Sequence, residues 1–205
     1  MEKGLKKLKI GIDLDECLAE FVWGFFNHHN DLYETKFTKR DIFCYNLWEV
    51  IGEKREETTK KILYFYQTDH FKELPIVPQS REVTRVLSEN NELFVITARP
   101  NSLDYATNRF IDQNFHNRFL DLIFSNDFFK NGKKKKSDIC KNLGIEVMIE
   151  DHADYAFDCA RNGIQVILLD KPWNHFYFRH NNLTKVSNWN ECLGEINKLE
   201  EVYGN

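Results

Sequence analysis

Long apolar runs, an excess of basic charge and disulfide spacing are all missing from this sequence. No segment approaches the roughly 20 consecutive apolar residues that a bilayer-crossing helix needs. The charged start, Met1-Glu-Lys-Gly-Leu-Lys-Lys, leads straight into a strand-like segment with no apolar stretch of signal-peptide length. The expectation is a cytoplasmic protein with no membrane partner. Lys and Arg number 28 against 32 Asp and Glu, a net charge of -4, which excludes a chain whose main work is coating a nucleic-acid polymer with a basic face. Five cysteines (Cys17, Cys44, Cys140, Cys159, Cys192) contain no C-x-x-C pair. They are a poor framework for disulfides or zinc and read as reduced thiols. Glycine (9) and proline (4) are sparse while hydrophobic residues reach 42%, so disordered, collagen-like and low-complexity classes are excluded.

What is there is a globular chain of 205 residues, room for one domain of ordinary size plus an insertion. The run LKIGIDL, Leu8 to Leu14, has the pattern of a buried strand that delivers a carboxylate at its C-terminal end. Shorter apolar runs recur at 93–96, 122–124, 147–149 and 166–169, separated by helix-length amphipathic stretches at 79–89, 102–115, 137–143 and 155–162. Strand alternating with helix predicts an α/β fold, a parallel sheet with helices on both faces. The interval 18–78 breaks the rhythm, being several times longer than an ordinary crossover. It holds helical stretches near 19–32 and 53–67, enough for a small helical cap, so the expected division is a core of 1–17 and 79–205 with a cap of 18–78. The cap is rich in aromatic residues, among them Phe21 and Trp48. Most are expected to form its own core and a minority to face a ligand.

In an open parallel sheet, ligands bind beyond the C-terminal ends of the strands. Those ends carry Asp13 and Asp15, then Thr97-Ala98-Arg99, then the run Lys133 to Lys136, then Glu150-Asp151. Carboxylates on two strands, a hydroxyl on a third and a nearby ammonium suit a hard divalent cation, magnesium, together with a phosphate. Lys136 directly precedes Ser137, a candidate N-cap, and is the lysine expected at the site, with Lys135 in reserve. Thr97 and the amides of Ala98 and Arg99 would hold phosphate oxygens.

In that order, Asp13-Leu14-Asp15, Thr97, a lysine before a helix, and Glu150-Asp151 resemble the four motifs of the haloacid dehalogenase (HAD) superfamily of phosphatases. The stretches DLDECLAEF (13–21) and FKELPIVPQSREVTRVL (71–87) are similar, more narrowly, to the 5′(3′)-deoxyribonucleotidase family. The resemblance implies a HAD-like Rossmannoid core and a magnesium-dependent nucleoside monophosphate phosphatase. It makes Asp13 the nucleophile, Asp15 the general acid and base, and Thr97 and Lys136 holders of the phosphoryl group. It places magnesium on the Asp13 side chain, the Asp15 carbonyl and Asp151, and Phe21 against the nucleotide, with Trp48 as a second base-binding aromatic. Glu16, Arg99-Pro100 and Glu150 depart from the family pattern, and the last leaves open which of Glu150 and Asp151 touches the metal. Another small phosphomonoester as substrate, a catalytically silent binding protein, and a homodimer stay open.

Overall fold

Side chains alternate between two buried clusters along the core strands, and that alternation is what covers the sheet on both faces. The computed structural model describes residues 7–125, 134–175 and 179–203. In chain order, β1 (Lys9–Ile12) is followed by α1 (Phe21–Tyr33), α2 (Leu47–Ile51), α3 (Arg55–Phe65), α4 (Asp69–Lys72) and α5 (Ser80–Asn90). Then come β2 (Glu92–Thr97), α6 (Asp104–Phe115), β3 (Phe119–Phe124), α7 (Lys136–Leu143), β4 (Val147–Glu150), α8 (Ala153–Arg161), β5 (Gln165–Leu169), β6 (Leu183–Val186) and α9 (Trp189–Tyr203). Ile10, Ile12, Leu93, Val95, Val147 and Ile149 enter one cluster with Leu87 of α5, Phe110 of α6 and Trp189 of α9. Phe94, Ile96, Met148, Val166 and Leu168 enter the other with Ile139 of α7 and Cys159 of α8. Gly11 faces this second cluster at close range: an added Cβ would lie 2.9 Å from Met148 Sδ and 3.0 Å from Ile96 Cδ1.

The sheet has six strands in the order β3-β2-β1-β4-β5-β6, and each neighbouring pair is parallel. The chain moves outward from β1 through β2 to β3, then returns to the other side of β1 with β4. That reversal opens a crevice above the C-terminal ends of β1 and β4, the place where open α/β sheets bind ligands. Asp13 N donates to Ile149 O at 2.9 Å, which carries the β1 to β4 pairing up to the floor of the crevice.

Helices α1 to α4 leave the sheet through a narrow neck. Val77 N donates to Leu18 O at 2.9 Å and Glu20 N to Pro75 O at 2.8 Å, with Ala19 bridged antiparallel to Ile76. Beyond the neck, Phe25, Phe26 and Phe65 are fully buried, and Phe25 meets Phe65 edge-on with centroids 5.6 Å apart. Gly24 gives Leu74 its place against α1, since a Cβ there would fall 2.2 Å from Leu74 Cδ2.

Three features differ from expectation. β6 and α9 extend the sheet and its helical cover beyond the five strands anticipated; β6 is an edge strand of four residues whose middle two are not buried, so it shows no apolar run. α2 and α4 have only 5 and 4 residues, too short to carry a helical period. The α7 helix starts one residue early: Lys136 is its first residue and Lys135 stands at the N-cap. Ser137 instead donates from inside the helix to Asp158 Oδ2 at 2.5 Å. Lys133 lies outside the described residues. Among the described residues, no helix is long and apolar enough to cross a membrane.

Trp189 ties the last helix to the crevice. Its ring is 1% exposed and its Nε1 donates to Cys17 O at 2.8 Å, holding the backbone just after the two aspartates. Trp189→Ala is expected to lower the unfolding free energy by about 3–5 kcal/mol, measured by urea denaturation. A loss below about 1 kcal/mol would show that α9 does not brace the fold through this residue.

Candidate active site

Three strand ends deliver polar side chains to the crevice, and one ammonium, at the start of a helix, binds two of them together. Lys136, the first residue of α7, is 2% exposed. Its Nζ lies 2.8 Å from Asp13 Oδ1 beyond β1 and 2.8 Å from Glu150 Oε2 at the end of β4. Asp151 completes a buried group: one carboxylate oxygen from each of Asp13, Glu150 and Asp151 lies within 4.8 Å of the others. Three carboxylates with one ammonium leave a surplus of negative charge out of water, a set of oxygen donors that fits a hard divalent cation. The charge imbalance shows in the protonation of Asp13. Burial, then the Glu150 charge, push its carboxyl from 3.8 up to about 7 against the opposing pull of Lys136. Burial, Glu150 and Asp13 likewise hold Asp151 well above the usual carboxylate range.

Glu150 has both oxygens engaged. Oε2 takes Lys136, while Oε1 accepts from the Asp151 and His152 amides at 3.3 and 3.2 Å. Asp151 Oδ2 accepts from the Trp173 indole Nε1 at 2.8 Å, and Oδ1 has no hydrogen bond among the described residues.

Asp15 stands apart from that group and faces Arg99. The guanidinium meets its carboxylate through Nε at 3.0 Å and Nη2 at 2.5 Å, donates to Thr107 Oγ1 at 3.2 Å and lies 4.8 Å from the Phe71 ring centroid. Burial lifts the Asp15 carboxyl above its ordinary value, with Arg99 pulling the other way. The Arg99 side chain, only 3% exposed, is thus committed to Asp15, and its amide donates to Thr97 Oγ1 at 3.1 Å. Thr97 caps no helix, because the next helical turn is a 3₁₀ segment at Asn101–Leu103 with Pro100 at its N-cap. Ala98, half-buried, links the two.

The two aromatics expected at the ligand both pack against other side chains of the helical insertion. Phe21 is 6% exposed and packs edge-on against Phe65 and Phe71 with centroids 5.7 and 6.5 Å away, a core ring with no open face. Trp48 sits half-exposed on α2 under the Arg55 guanidinium, 5.1 Å from its ring centroid. Tyr45 and Tyr66 feel the charge of the carboxylates. Burial together with the charges of Asp151, Asp15 and Asp13 drives the Tyr45 phenol well above its usual range, and Asp15 adds to the same effect of burial at Tyr66. Tyr45 also stands edge-on to His152 and Trp173, with centroids 5.0 and 5.7 Å away. Sequence reasoning missed Tyr45, Trp173 and Asn174; the only available signal was that Trp173-Asn174 closely follows the apolar run at 166–169.

Glu16, one of the departures from the resembling family, has φ of 65°, in the left-handed region that favours glycine. Its side chain compensates, with Oε1 accepting from Val22 N in the first turn of α1 at 2.7 Å and Oε2 lying 3.6 Å from Lys171 Nζ.

A family model describing 5′ nucleotidase, deoxy (pyrimidine), cytosolic type C proteins matches residues 6–199. The chain belongs to this family. Among curated proteins, this nucleotidase is 25% identical over 201 residues to a nucleotidase of Clostridium acetobutylicum, covering 96% of this chain and 97% of that one. It is 24% identical over 192 residues to a 5′(3′)-deoxyribonucleotidase of Bacillus subtilis, covering 91% and 96%. Solved structures with the same fold include a haloacid dehalogenase-like hydrolase of Streptococcus pneumoniae, with TM-score 0.63, 17% identity and coverage of 96% of this chain and 100% of that one. A HAD hydrolase of Bacillus subtilis solved with magnesium bound gives TM-score 0.64 at 11% identity, covering 94% and 99%. The nucleotidase is therefore an enzyme on a HAD-like core, with a small phosphate compound as the substrate its family implies.

The raised Asp13 pKa has a consequence for the metal-free nucleotidase. A carboxyl at 3.8 when unfolded and about 7 when folded adds stability that is full below the lower value and is lost as pH rises through the upper one. In the presence of a chelator, the unfolding free energy of the wild type should fall from about pH 4 to about pH 7 more steeply than that of Asp13→Asn, which lacks the titrating group. Parallel pH profiles for the two proteins would contradict the assigned environment of Asp13.

Proposed function

We propose that this nucleotidase is a magnesium-dependent 5′(3′)-deoxyribonucleotidase that cleaves nucleoside monophosphates through an aspartyl-phosphate on Asp13. The observation that carries the reading is the buried group of Asp13, Glu150 and Asp151 joined by Lys136. The similarity to a named deoxyribonucleotidase over nearly the whole chain supports the substrate class.

An Asp13 carboxylate oxygen attacks phosphorus, and the bond from phosphorus to the leaving oxygen breaks. Asp15, steered by Arg99, protonates that oxygen and then takes a proton from the water that hydrolyses the acyl phosphate. Burial raises its carboxyl and the Arg99 guanidinium opposes the rise. Lys136 and the Thr97 hydroxyl hold the phosphoryl oxygens, where charge develops in the transition state. Magnesium, held by the Asp13 side chain, the Asp15 carbonyl and Asp151, would supply electrostatic stabilisation of the phosphoryl group. Glu150 has its oxygens taken by Lys136 and two amides, so we assign it to orienting Lys136 and leave direct ligation to Asp151. The segment 18–78 acts as the cap, and its Tyr45 and Tyr66 lie within the field of the carboxylates. Five free thiols agree with a cytoplasmic setting.

Phosphate release across deoxy- and ribonucleoside 5′- and 3′-monophosphates and sugar phosphates, with and without magnesium, tests this reading. Turnover is expected with deoxyribonucleotides and magnesium, and Asp13→Asn should lose essentially all of it while staying folded, since an amide cannot attack phosphorus. A preference for sugar phosphates would retire the substrate assignment. Retained turnover in Asp13→Asn would retire the mechanism.

A further inference from the structure

The loop after β5 takes no part in the chemistry assigned above, yet it is fastened to one of the carboxylates from two directions. Trp173 Nε1 donates to Asp151 Oδ2 at 2.8 Å. Asn174, fully buried, donates from one nitrogen to both Asp151 O and Leu169 O at 2.7 Å, and its Oδ1 accepts from Lys171 N at 3.1 Å. The backbone of Asp151 is thereby anchored to the end of β5, and the indole fixes the plane of the carboxylate above that anchor.

We propose that Trp173 is a positioning residue that orients the Asp151 carboxylate toward the divalent cation; this deepens, and rests on, the metal-dependent reading above. An indole N–H suits the task because it only donates and carries no charge. It occupies Oδ2 without bringing a positive charge against the metal, whereas a lysine at the same place would repel the cation. Tyr45, edge-on to Trp173, buttresses the indole from the helical insertion. Partners that hold a metal ligand in this way are worth roughly 10–100-fold in metal affinity when removed.

The test uses the full chain with nitrogen-15 in its tryptophan indoles, whose four signals are assigned by the loss of one in Trp173→Phe. Magnesium titration of the wild type is expected to shift the Trp173 indole signal, and a signal unmoved at saturating magnesium overturns the proposal without recourse to any variant. Trp173→Phe is expected to weaken magnesium binding by roughly 10–100-fold. The magnesium concentration for half-maximal phosphate release should rise by the same factor, with kcat recovering at saturating magnesium. Unchanged magnesium affinity in a folded Trp173→Phe, with Asp151→Ala abolishing binding, overturns the positioning role and leaves the metal-dependent reading standing. A wild type that binds no magnesium overturns that reading as well.

Discussion

A single buried ammonium, that of Lys136, holds the nucleotidase site together. It sits 2.8 Å from both Asp13 and Glu150, so the end of β1, the end of β4 and the start of α7 converge on one charge. Taking an ammonium out of water is expensive, and only good geometry with two partners offsets the desolvation. The same geometry constrains the chemistry. With Glu150 also bound to two backbone amides, Lys136 is held at the height of Asp13 with little freedom, which is what electrostatic stabilisation of a transferring phosphoryl group needs.

The second constraint links the sheet to the helices inserted after β1. Arg99 grips Asp15 from the end of β2 while lying over the Phe71 ring of α4, and Glu16 reaches the first turn of α1. Asp15 and the helical insertion are therefore positioned by shared contacts. A displacement of the insertion would be felt at Asp15 through Phe71 and Arg99, and at the loop carrying Asp13 through Glu16. The pairing of the neck at Leu18 and Val77 limits how far such a displacement can go.

Much of this was legible in the sequence because it sits where patterns are strong. Asp13, Thr97 and Glu150-Asp151 follow apolar runs that can only be buried strands, and Lys136 was found because a helix begins beside it. Arg99 was located correctly at a strand end, but nothing in the sequence shows that its guanidinium turns to Asp15. The aromatics of the insertion defeated pattern reading for a plain reason: a ring in a small helical core and a ring facing a ligand have the same composition and the same helical spacing. Phe21 packs as the first kind does, and Tyr45, edge-on to His152 and Trp173, lies on an irregular stretch with no period. Trp173 and Asn174 act through hydrogen bonds to Asp151 from a loop that only the folded sheet brings near, and β6 has no apolar run to announce it.

The proposed reaction depends on covalent phosphorylation of Asp13 in the site that Lys136 joins. Rapid acid quench during turnover of a deoxyribonucleoside monophosphate, followed by mass spectrometry of the proteolysed nucleotidase, tests it most directly. The account predicts a transient phosphoryl adduct on the peptide at Asp13 that appears before free phosphate. Turnover with no adduct on the protein at any time, or an adduct carried by another residue, would contradict it.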